Sequence, residues 1–272
     1  MSERRGYMKK ATVFSPSASV YGEASSESIL QDELLYGMEV TVDSDVGLNG
    51  MCRVTSDYGY SGFVSSAALY DGKYPANRVV TARSAHLMKQ ACVDSVQTDC
   101  VPQGSLLLCV SETADGWSLI QPVGATEIWY TRTSWLSARA EHIASERVFR
   151  QNVIRTAMGY LHTPYRFGGK TPQGIDCSGL CSISYLINGA VIWRDAVRPP
   201  KGCVRPISLQ EAKPADLLYF PGHMALYLGE NRFLHATAHT GDDGVCIGSF
   251  QEGTAGYRGD LKESFLCAGT IF

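Results

Sequence analysis

The stretch from residue 165 to residue 181 constrains the fold more than any other, because a polar loop changes there into an apolar helix. The loop, YRFGGKTPQGID, is rich in Gly and contains Pro, whereas the run LCSISYLI from Leu180 predicts a buried helix. Cys177 therefore lies in the first turn, where unpaired backbone N–H groups and the helix dipole favour a negative charge. We expect this position to lower the pKa of the thiol and to stabilise an oxyanion, which makes Cys177 a candidate nucleophile.

Two histidines near the C-terminus are candidates for the base that a cysteine nucleophile needs. They lie on two apolar runs separated by Gly-Glu-Asn, a pattern that predicts a β-hairpin. If Leu228 pairs with Arg232, Ala225 faces His235, and His223 lies diagonally beside it on the same face, roughly 7–8 Å away. A shift of one residue would separate the two rings. In the first register His223 is the candidate base and later acid, and His235 holds its ring in the required tautomer.

A zinc site is the alternative chemistry for the same part of the chain. The possible ligands are Cys177, Cys181, His223, His235 and His239. Their Cys-x3-Cys and His-x3-His spacings match zinc sites only loosely, and no carboxylate lies in a metalloprotease motif. We therefore interpret Cys181 as a core residue and expect neither a metal nor another cofactor.

The nucleophile stretch resembles the corresponding motif of the NlpC-type cell-wall peptidases, which are papain-like cysteine peptidases. The resemblance rests on Tyr165, the Gly pair at 168–169, Gly174 and the run DCSGL at 176–180, while Phe167 stands where the family usually has Trp. The segments around the two histidines also resemble those of the family, in the same Cys-His-His order. The resemblance implies a catalytic domain in which helices pack on an antiparallel sheet.

The same resemblance implies which side chains line the substrate site. The tyrosine hydroxyl would point toward the oxyanion, and the residues on both sides of the nucleophile would line the specificity pocket. The Arg-Asp-Ala segment that begins at Arg194 is expected as an exposed turn whose aspartate binds a substrate amine. Two residues have other interpretations, the aspartate before the nucleophile as a helix N-cap and the tyrosine as a packing residue. The implied substrate-binding residues here are Tyr165, Asp176, Ser178, Asp195 and Ala196.

Short apolar runs of strand length, one of them over residues 34–42, are separated by Gly-rich turns in the first half of the chain and predict small all-β domains. In residues 1–73 the run YSGFV at 60–64 resembles the closing strand of a bacterial SH3-like module, and residues 74–140 repeat the pattern weakly. Residues 141–272 form the predicted catalytic domain, which opens with an amphipathic helix over 143–161. We predict an α+β chain with two SH3-like barrels ahead of a papain-like domain.

Such pairs of modules resemble those of a subset of the family, the γ-D-glutamyl-L-diamino acid endopeptidases, which act on free murein peptides with an N-terminal L-Ala. In that subset the first module closes off the site, and an acidic residue and a Tyr help to hold the amine. Tyr60 matches the Tyr, and the acid would fall near Ile29, which leaves Glu27 as first choice and Glu33 as second. A carboxylate that pairs with a free amine rejects longer chains, because extension would leave a buried charge unpaired.

Composition argues against several other classes of protein. Hydrophobic residues make up 44% and charged residues 19% of the chain, and the net charge is −3, so neither nucleic acid nor an anionic membrane surface is an expected partner. No apolar run is long enough to span a bilayer. The basic N-terminus lacks an apolar signal core, and the nine cysteines show no disulfide-framework spacing. We expect a reduced, cytoplasmic monomer, or alternatively a secreted protein whose signal peptide has been removed.

The resemblance finally implies a function. It predicts a cysteine endopeptidase that hydrolyses the bond between γ-D-Glu and the L-diamino acid, diaminopimelate or Lys, in peptidoglycan-derived peptides, as part of murein peptide recycling. One alternative is a hydrolase or amidase of intact peptidoglycan, and another is a wall-binding protein without activity. The presence of Cys177, His223 and His235 together argues against the inactive alternative.

Overall fold

The computed structural model describes residues 9–43, 46–47, 49–197 and 202–272. The chain divides into two compact units, Met1–Arg139 and Ala140–Phe272. The start of the second unit lies one residue before the predicted start of the catalytic domain at residue 141. The other predicted boundary, between residues 73 and 74, falls inside the first unit and stays a prediction.

In the part of the N-terminal unit that the structure describes, the strands form two antiparallel sheets of seven strands each. The first contains β1 (Lys9–Val13), β2 (Ser17–Tyr21), β3 (Leu30–Leu35), β4 (Glu39–Val42), β5 (Met51–Ser56), β6 (Ser61–Ser65) and β7 (Leu69–Asp71). The second contains β8 (Arg78–Val80), β9 (Ser84–Met88), β10 (Gln97–Pro102), β11 (Leu106–Glu112), β12 (Trp117–Gln121), β13 (Trp129–Arg132) and β14 (Leu136–Ala138). Their strand orders, β3-β2-β6-β5-β4-β1-β7 and β10-β9-β13-β12-β11-β8-β14, correspond strand for strand. The weak sequence repeat therefore corresponds to a repeated topology.

The apolar run over residues 34–42, expected as one strand, is divided between β3 and β4 by a turn. Gly37 occupies the left-handed region, with φ 78°, which an L side chain rarely adopts. The turn carries Tyr36 into the core of the second sheet, where its hydroxyl accepts a hydrogen bond from the N–H of Val123 at 2.7 Å and its ring lies edge-on to Tyr74. Burial raises the pKa of Tyr36 to about 12. The expectation of a single strand is wrong, because the turn residues serve the packing of a second sheet.

The described residues of the C-terminal unit form three helices and one main sheet. Its elements are α1 (Glu146–Met158), β15 (Lys170–Thr171), β16 (Gly174–Ile175), α2 (Cys177–Leu186), β17 (Arg205–Ile207), β18 (Leu217–Phe220), β19 (His223–Gly229), β20 (Arg232–Thr237), β21 (Gly244–Ser249), α3 (Gly259–Ser264) and β22 (Cys267–Thr270). The sheet is antiparallel, in the order β17-β22-β18-β19-β20-β21. Helix α1 is shorter than the predicted 143–161, and no described helix is long and apolar enough to cross a membrane.

Alternate residues of β19 and β20 contribute to an aromatic core in this unit. Ala225, Tyr227 and Phe233 are buried there together with Phe220 of β18. The rings of the two histidines continue this pattern, with centroids 5.8 Å apart for His223 and Phe220 and 5.1 Å apart for His235 and Phe233. The apolar packing that stabilises the hairpin therefore also orients both imidazoles.

Candidate active site

Helix α2 begins at Cys177, as the change from loop to apolar run predicts. Asp176 has extended backbone angles and is the N-cap, and its carboxylate accepts a hydrogen bond from the N–H of Gly179 at 2.5 Å. The side chain of Cys177 is buried in the first turn, and the N–H groups of Ser178 and Met224 approach its sulfur. Met224 is the neighbour of His223, so the sulfur lies next to the start of β19.

A buried arginine pairs with the N-cap carboxylate. Arg194 donates to both oxygens of Asp176, at 3.0 Å and 3.2 Å, and to the hydroxyl of Ser178 at 2.7 Å. The N–H of Gly168 donates to the same carboxylate at 2.7 Å. The expectation of an exposed turn is wrong for Arg194, which is only 2% exposed because the carboxylate and Gly169 carbonyl hold it in the core. The N-cap interpretation of Asp176 is confirmed, and contacts of Asp176 and Ser178 with substrate stay predictions.

The two histidines lie on one face of the hairpin, in the predicted register. Leu226 pairs with Leu234, and continuing this register places Ala225 opposite His235. The Nε2 of His223 lies 2.9 Å from the Nδ1 of His235, with the ring planes inclined at 72°. Their hydrogen bond leaves Nδ1 of His223 as the nitrogen that can exchange a proton with a nucleophile.

The turn of the hairpin differs from the one used to deduce this register. Gly229, rather than Leu228, pairs with Arg232, because a bulge shifts the strands after Tyr227. Glu230 and Asn231 both have left-handed backbones, with φ 52° and 59°, as in a two-residue type I′ turn. The bulge absorbs the extra residue, so the register at the histidines is unaffected.

Burial governs the protonation of the candidate nucleophile and base. It raises the pKa of the Cys177 thiol to about 11, and the charge of Asp176 acts in the same direction. The nearby N–H groups and Arg194 favour the thiolate but do not outweigh burial, so the expectation of a lowered thiol pKa is wrong. Burial, followed by the charge of Arg258, lowers the pKa of His223 to about 4. The free site therefore holds a neutral thiol and a neutral imidazole.

His235 is also a neutral ring. It is fully buried, and burial followed by His223 and Arg258 lowers its pKa to about 3. A neutral imidazole has one N–H donor and one acceptor nitrogen, so His235 can accept a hydrogen bond from His223 only in one of its two tautomers. The tautomer of His235 therefore determines whether it can accept a hydrogen bond from the candidate base, His223.

The remaining predicted site residues of the C-terminal unit lie outside its helices and strands, Tyr165 before α2 and Asp195 and Ala196 after it. Tyr165 forms an isolated bridge with Ile175, and burial raises its pKa to about 12, with a second contribution from the charge of Cys177. It therefore lies beside the candidate nucleophile. Asp195 and Ala196 follow the buried arginine and are partly exposed. Their contacts with substrate stay predictions.

The two residues predicted to hold an amine belong to the N-terminal unit. Tyr60 is partly buried before β6, and its N–H donates to the hydroxyl of Ser56 at 3.0 Å. Glu27 is exposed on the connection between β2 and β3, and the second choice, Glu33, is buried in β3. Their roles toward substrate stay predictions.

The zinc alternative finds no support in the arrangement of its residues. Within the four described ranges, no three or more His, Cys, Asp or Glu side chains are grouped as metal ligands. Cys181 is fully buried in α2, and burial raises its pKa well above the ordinary value. Nδ1 of the exposed His239 lies 3.8 Å from Oδ2 of Asp242. The packing interpretation of Cys181 is therefore consistent with its environment.

Sequence reasoning missed three residues near the candidate site. The Arg-Asp-Ala segment was a sequence signal for Arg194, but the predicted role was given to its aspartate and none to the arginine. Cys246 on β21 contacts His235, and Arg258 lowers the pKa of both histidines. Neither of these two carries a sequence signal, because each reaches the histidines through tertiary packing.

Comparison with known proteins gives a consistent result. The model of the NlpC/P60 family matches residues 162–257. Dipeptidyl-peptidase 6 of Lysinibacillus sphaericus is 37% identical over 96% of this chain and 99% of its own length. Gamma-D-glutamyl-L-lysine dipeptidyl-peptidase of Bacillus subtilis is 30% identical over 35% of this chain and 34% of its own. A solved NlpC/P60 family protein of Bacillus cereus shares the fold, with a TM-score of 0.76, 18% identity, and coverage of 95% of this chain and 98% of that one.

Proposed function

The chain belongs to the NlpC/P60 family of peptidases, and from that premise we propose that it hydrolyses the bond between γ-D-Glu and an L-diamino acid in peptidoglycan-derived peptides. The observation that carries the proposal is the 2.9 Å hydrogen bond between His223 and His235, next to a cysteine at the start of a helix. A nucleophile, a base and a residue that orients the base are the three parts of such a site.

Cys177 is the nucleophile in the proposed reaction. Its sulfur attacks the γ-carbonyl carbon of D-Glu while its proton passes to Nδ1 of His223. The C–N bond then breaks, and the same proton leaves with the amine of the diamino acid. Water attacks the thioester with His223 again as base, which releases the carboxylic acid and restores the thiol. No metal or cofactor takes part in these steps.

The start of α2 stabilises the oxyanion in this proposal. The first N–H groups of a helix have no partner in the helix itself, and they are aligned with its dipole. The N–H of Ser178 already approaches the sulfur, and Tyr165 lies beside it. Donors that are in place before the reaction stabilise the developing charge without reorganisation.

Recognition of a free amine gives the proposed specificity. The names of two relatives, a dipeptidyl-peptidase and a gamma-D-glutamyl-L-lysine dipeptidyl-peptidase, support a substrate with a free N-terminus. Asp195, in the C-terminal unit, holds the amine of L-Ala. A substrate extended beyond that amine would leave this carboxylate unpaired and is rejected.

Digestion of two matched peptides followed by mass spectrometry tests this proposal. L-Ala-γ-D-Glu-diaminopimelate should release L-Ala-D-Glu, and its N-acetylated form should stay intact; the Cys177→Ala variant is the control for both. Equal cleavage of the two forms would contradict amine recognition and favour an enzyme of intact peptidoglycan. Cleavage by Cys177→Ala would contradict the nucleophile, and sedimentation with sacculi without any turnover would favour a wall-binding protein.

A place in murein peptide recycling extends the proposal. An enzyme that requires a free amine acts after other hydrolases have released peptides from the wall, so we place it in the cytoplasm. We also propose that it is a monomer. Cell fractionation tests the compartment, and sedimentation velocity tests the monomer. Recovery of the protein outside the cell would contradict the recycling role and leave the peptidase chemistry intact.

A further inference from the structure

The ring nitrogen of His235 that does not face His223 contacts a cysteine. His235 on β20 pairs with Cys246 on β21, and the Cys246 sulfur lies 3.5 Å from Nε2 of the ring. Sulfur is a weak donor and a weak acceptor, and contacts to sulfur are longer than those to oxygen. His223, His235 and Cys246 thus form one hydrogen-bonded chain that begins at the proposed base.

Two arrangements of protons can satisfy this chain. In the first, Nε2 of His223 donates to Nδ1 of His235, and Nε2 of His235 donates to the Cys246 sulfur. In the second, the Cys246 S–H donates to Nε2 of His235, whose Nδ1 donates to His223. Only the first leaves Nδ1 of a neutral His223 unprotonated, so only the first can accept a proton from Cys177.

The surroundings prevent either end of the chain from taking a charge. Arg258 is 8% exposed and donates to Asp260 at 2.6 Å and 2.8 Å. It disfavours a proton on His223 after burial, and a proton on His235 after burial and the charge of His223. The charge of His239 has the same sign of effect on His235, while that of Asp260 opposes it. Burial raises the pKa of the Cys246 thiol to about 11, with a contribution from Asp242. Because no group in this hydrogen-bonded chain is charged, no charge selects one of the two proton arrangements. The arrangement therefore depends on whether Cys246, at the far end, accepts the last hydrogen bond.

We propose that Cys246 is a positioning residue, whose sulfur accepts the Nε2–H of His235 and thereby holds His235 in the tautomer that accepts a hydrogen bond from His223. The inference rests on the proposed function, in which His223 is the base. In this proposal, strand β21 contributes to catalysis through a residue that lies outside the catalytic motifs. Because His235 is fully buried, loss of this acceptor would leave an N–H without a partner.

The tautomer of His235 is observable without any substrate. Two-bond ¹H–¹⁵N correlation spectra of protein labelled with ¹⁵N-histidine distinguish rings protonated at Nε2 from rings protonated at Nδ1. At pH 7.5 we expect His235, assigned with a His235→Gln variant, to be protonated at Nε2 in the unsubstituted protein. A ring protonated at Nδ1 would overturn the proposal, whatever the substrate of the enzyme is.

A matched pair of variants tests the effect on turnover. Val and Thr have nearly the same volume, but only Thr keeps an oxygen that can accept the Nε2–H. We expect Cys246→Val to lower kcat about three- to tenfold with KM unchanged, and to populate the Nδ1 tautomer. Cys246→Thr should recover most of kcat and the Nε2 tautomer.

The controls separate this inference from folding effects and from the proposed function. Cys203→Ala removes an exposed thiol of the same unit and should change neither tautomer nor turnover. Equal losses in Cys246→Val and Cys246→Thr would mean that the cysteine acts through packing alone, which overturns the proposal. If neither the free tripeptide, nor its N-acetylated form, nor any wall fragment is cleaved, the proposed function fails, while the spectra still decide the tautomer.

Discussion

The two sides of the candidate site are held by different kinds of interaction. On the nucleophile side, Asp176 and Arg194 form a buried ion pair that ties together the loop and the start of α2. On the histidine side, His223 and His235 form a neutral hydrogen bond among aromatic rings. A buried charge that loses its partner is costly, whereas a neutral bond that is lost costs less. We therefore expect loss of the Asp176–Arg194 ion pair to reduce stability, and loss of the hydrogen bond between the histidines to reduce turnover.

Removal of the nucleophile should have the largest effect on activity. Cys177→Ala deletes only the sulfur of a buried side chain and should lower kcat by about 10⁴-fold or more with little change in stability. Single-turnover digestion of the free tripeptide measures the loss, and urea unfolding shows that the fold is kept. Cys181→Ala is the matched control one helical turn later, and a similar loss in that variant would contradict the assignment.

Breaking the ion pair on one side should have the largest effect on stability. Arg194→Met leaves the Asp176 carboxylate buried without its charged partner and should lower the free energy of unfolding by about 3–5 kcal/mol. The double variant Arg194→Met with Asp176→Asn removes both charges and should recover part of the loss. Urea unfolding of the three proteins measures this, and no difference between the single and double variants would contradict the role of the charge.

Loss of the second histidine should separate the two sides most clearly. His235→Leu removes the acceptor for His223 and should lower kcat by about 10²-fold, because an unoriented base is a poor one. His235→Gln retains an acceptor and should lose less. If His235→Leu instead lowered the free energy of unfolding as much as Arg194→Met does, the two sides would not differ in the way proposed here.

The smallest expected effect concerns the dependence of stability on pH. The pKa values of His223 and His235 are lowered to about 4 and about 3, from an ordinary 6.5. Below pH 6.5 the unfolded chain therefore binds protons that the folded chain excludes, so stability falls as the pH decreases from 6.5 toward 4. His235→Gln should reduce the slope in this window by about 1.4 kcal/mol per pH unit. Urea unfolding at several pH values checks it, and an unchanged slope would contradict neutral burial of His235.

Local sequence was sufficient for those parts of the site that depend on neighbouring residues. The change from a Gly-rich loop to an apolar run located the start of α2, and the alternation of apolar residues located the histidine hairpin and its register. Local sequence was insufficient where contacts with residues distant in the chain determine the local structure. The apolar run at 34–42 contains a turn because Tyr36 packs in another sheet. Arg194 is buried because it pairs with Asp176, which lies 18 residues earlier in the chain.

The sequence by itself determined the elements, the family and the order in which Cys177, His223 and His235 occur. Periodicity, turn residues and motifs are local properties, so they can be read without coordinates. Only the tertiary structure decided that the thiol and both imidazoles are neutral, since protonation depends on burial and on the charges of remote residues such as Arg194 and Arg258. Strand pairing likewise brought Cys246 to His235, because cross-strand neighbours are set by the register of the whole sheet.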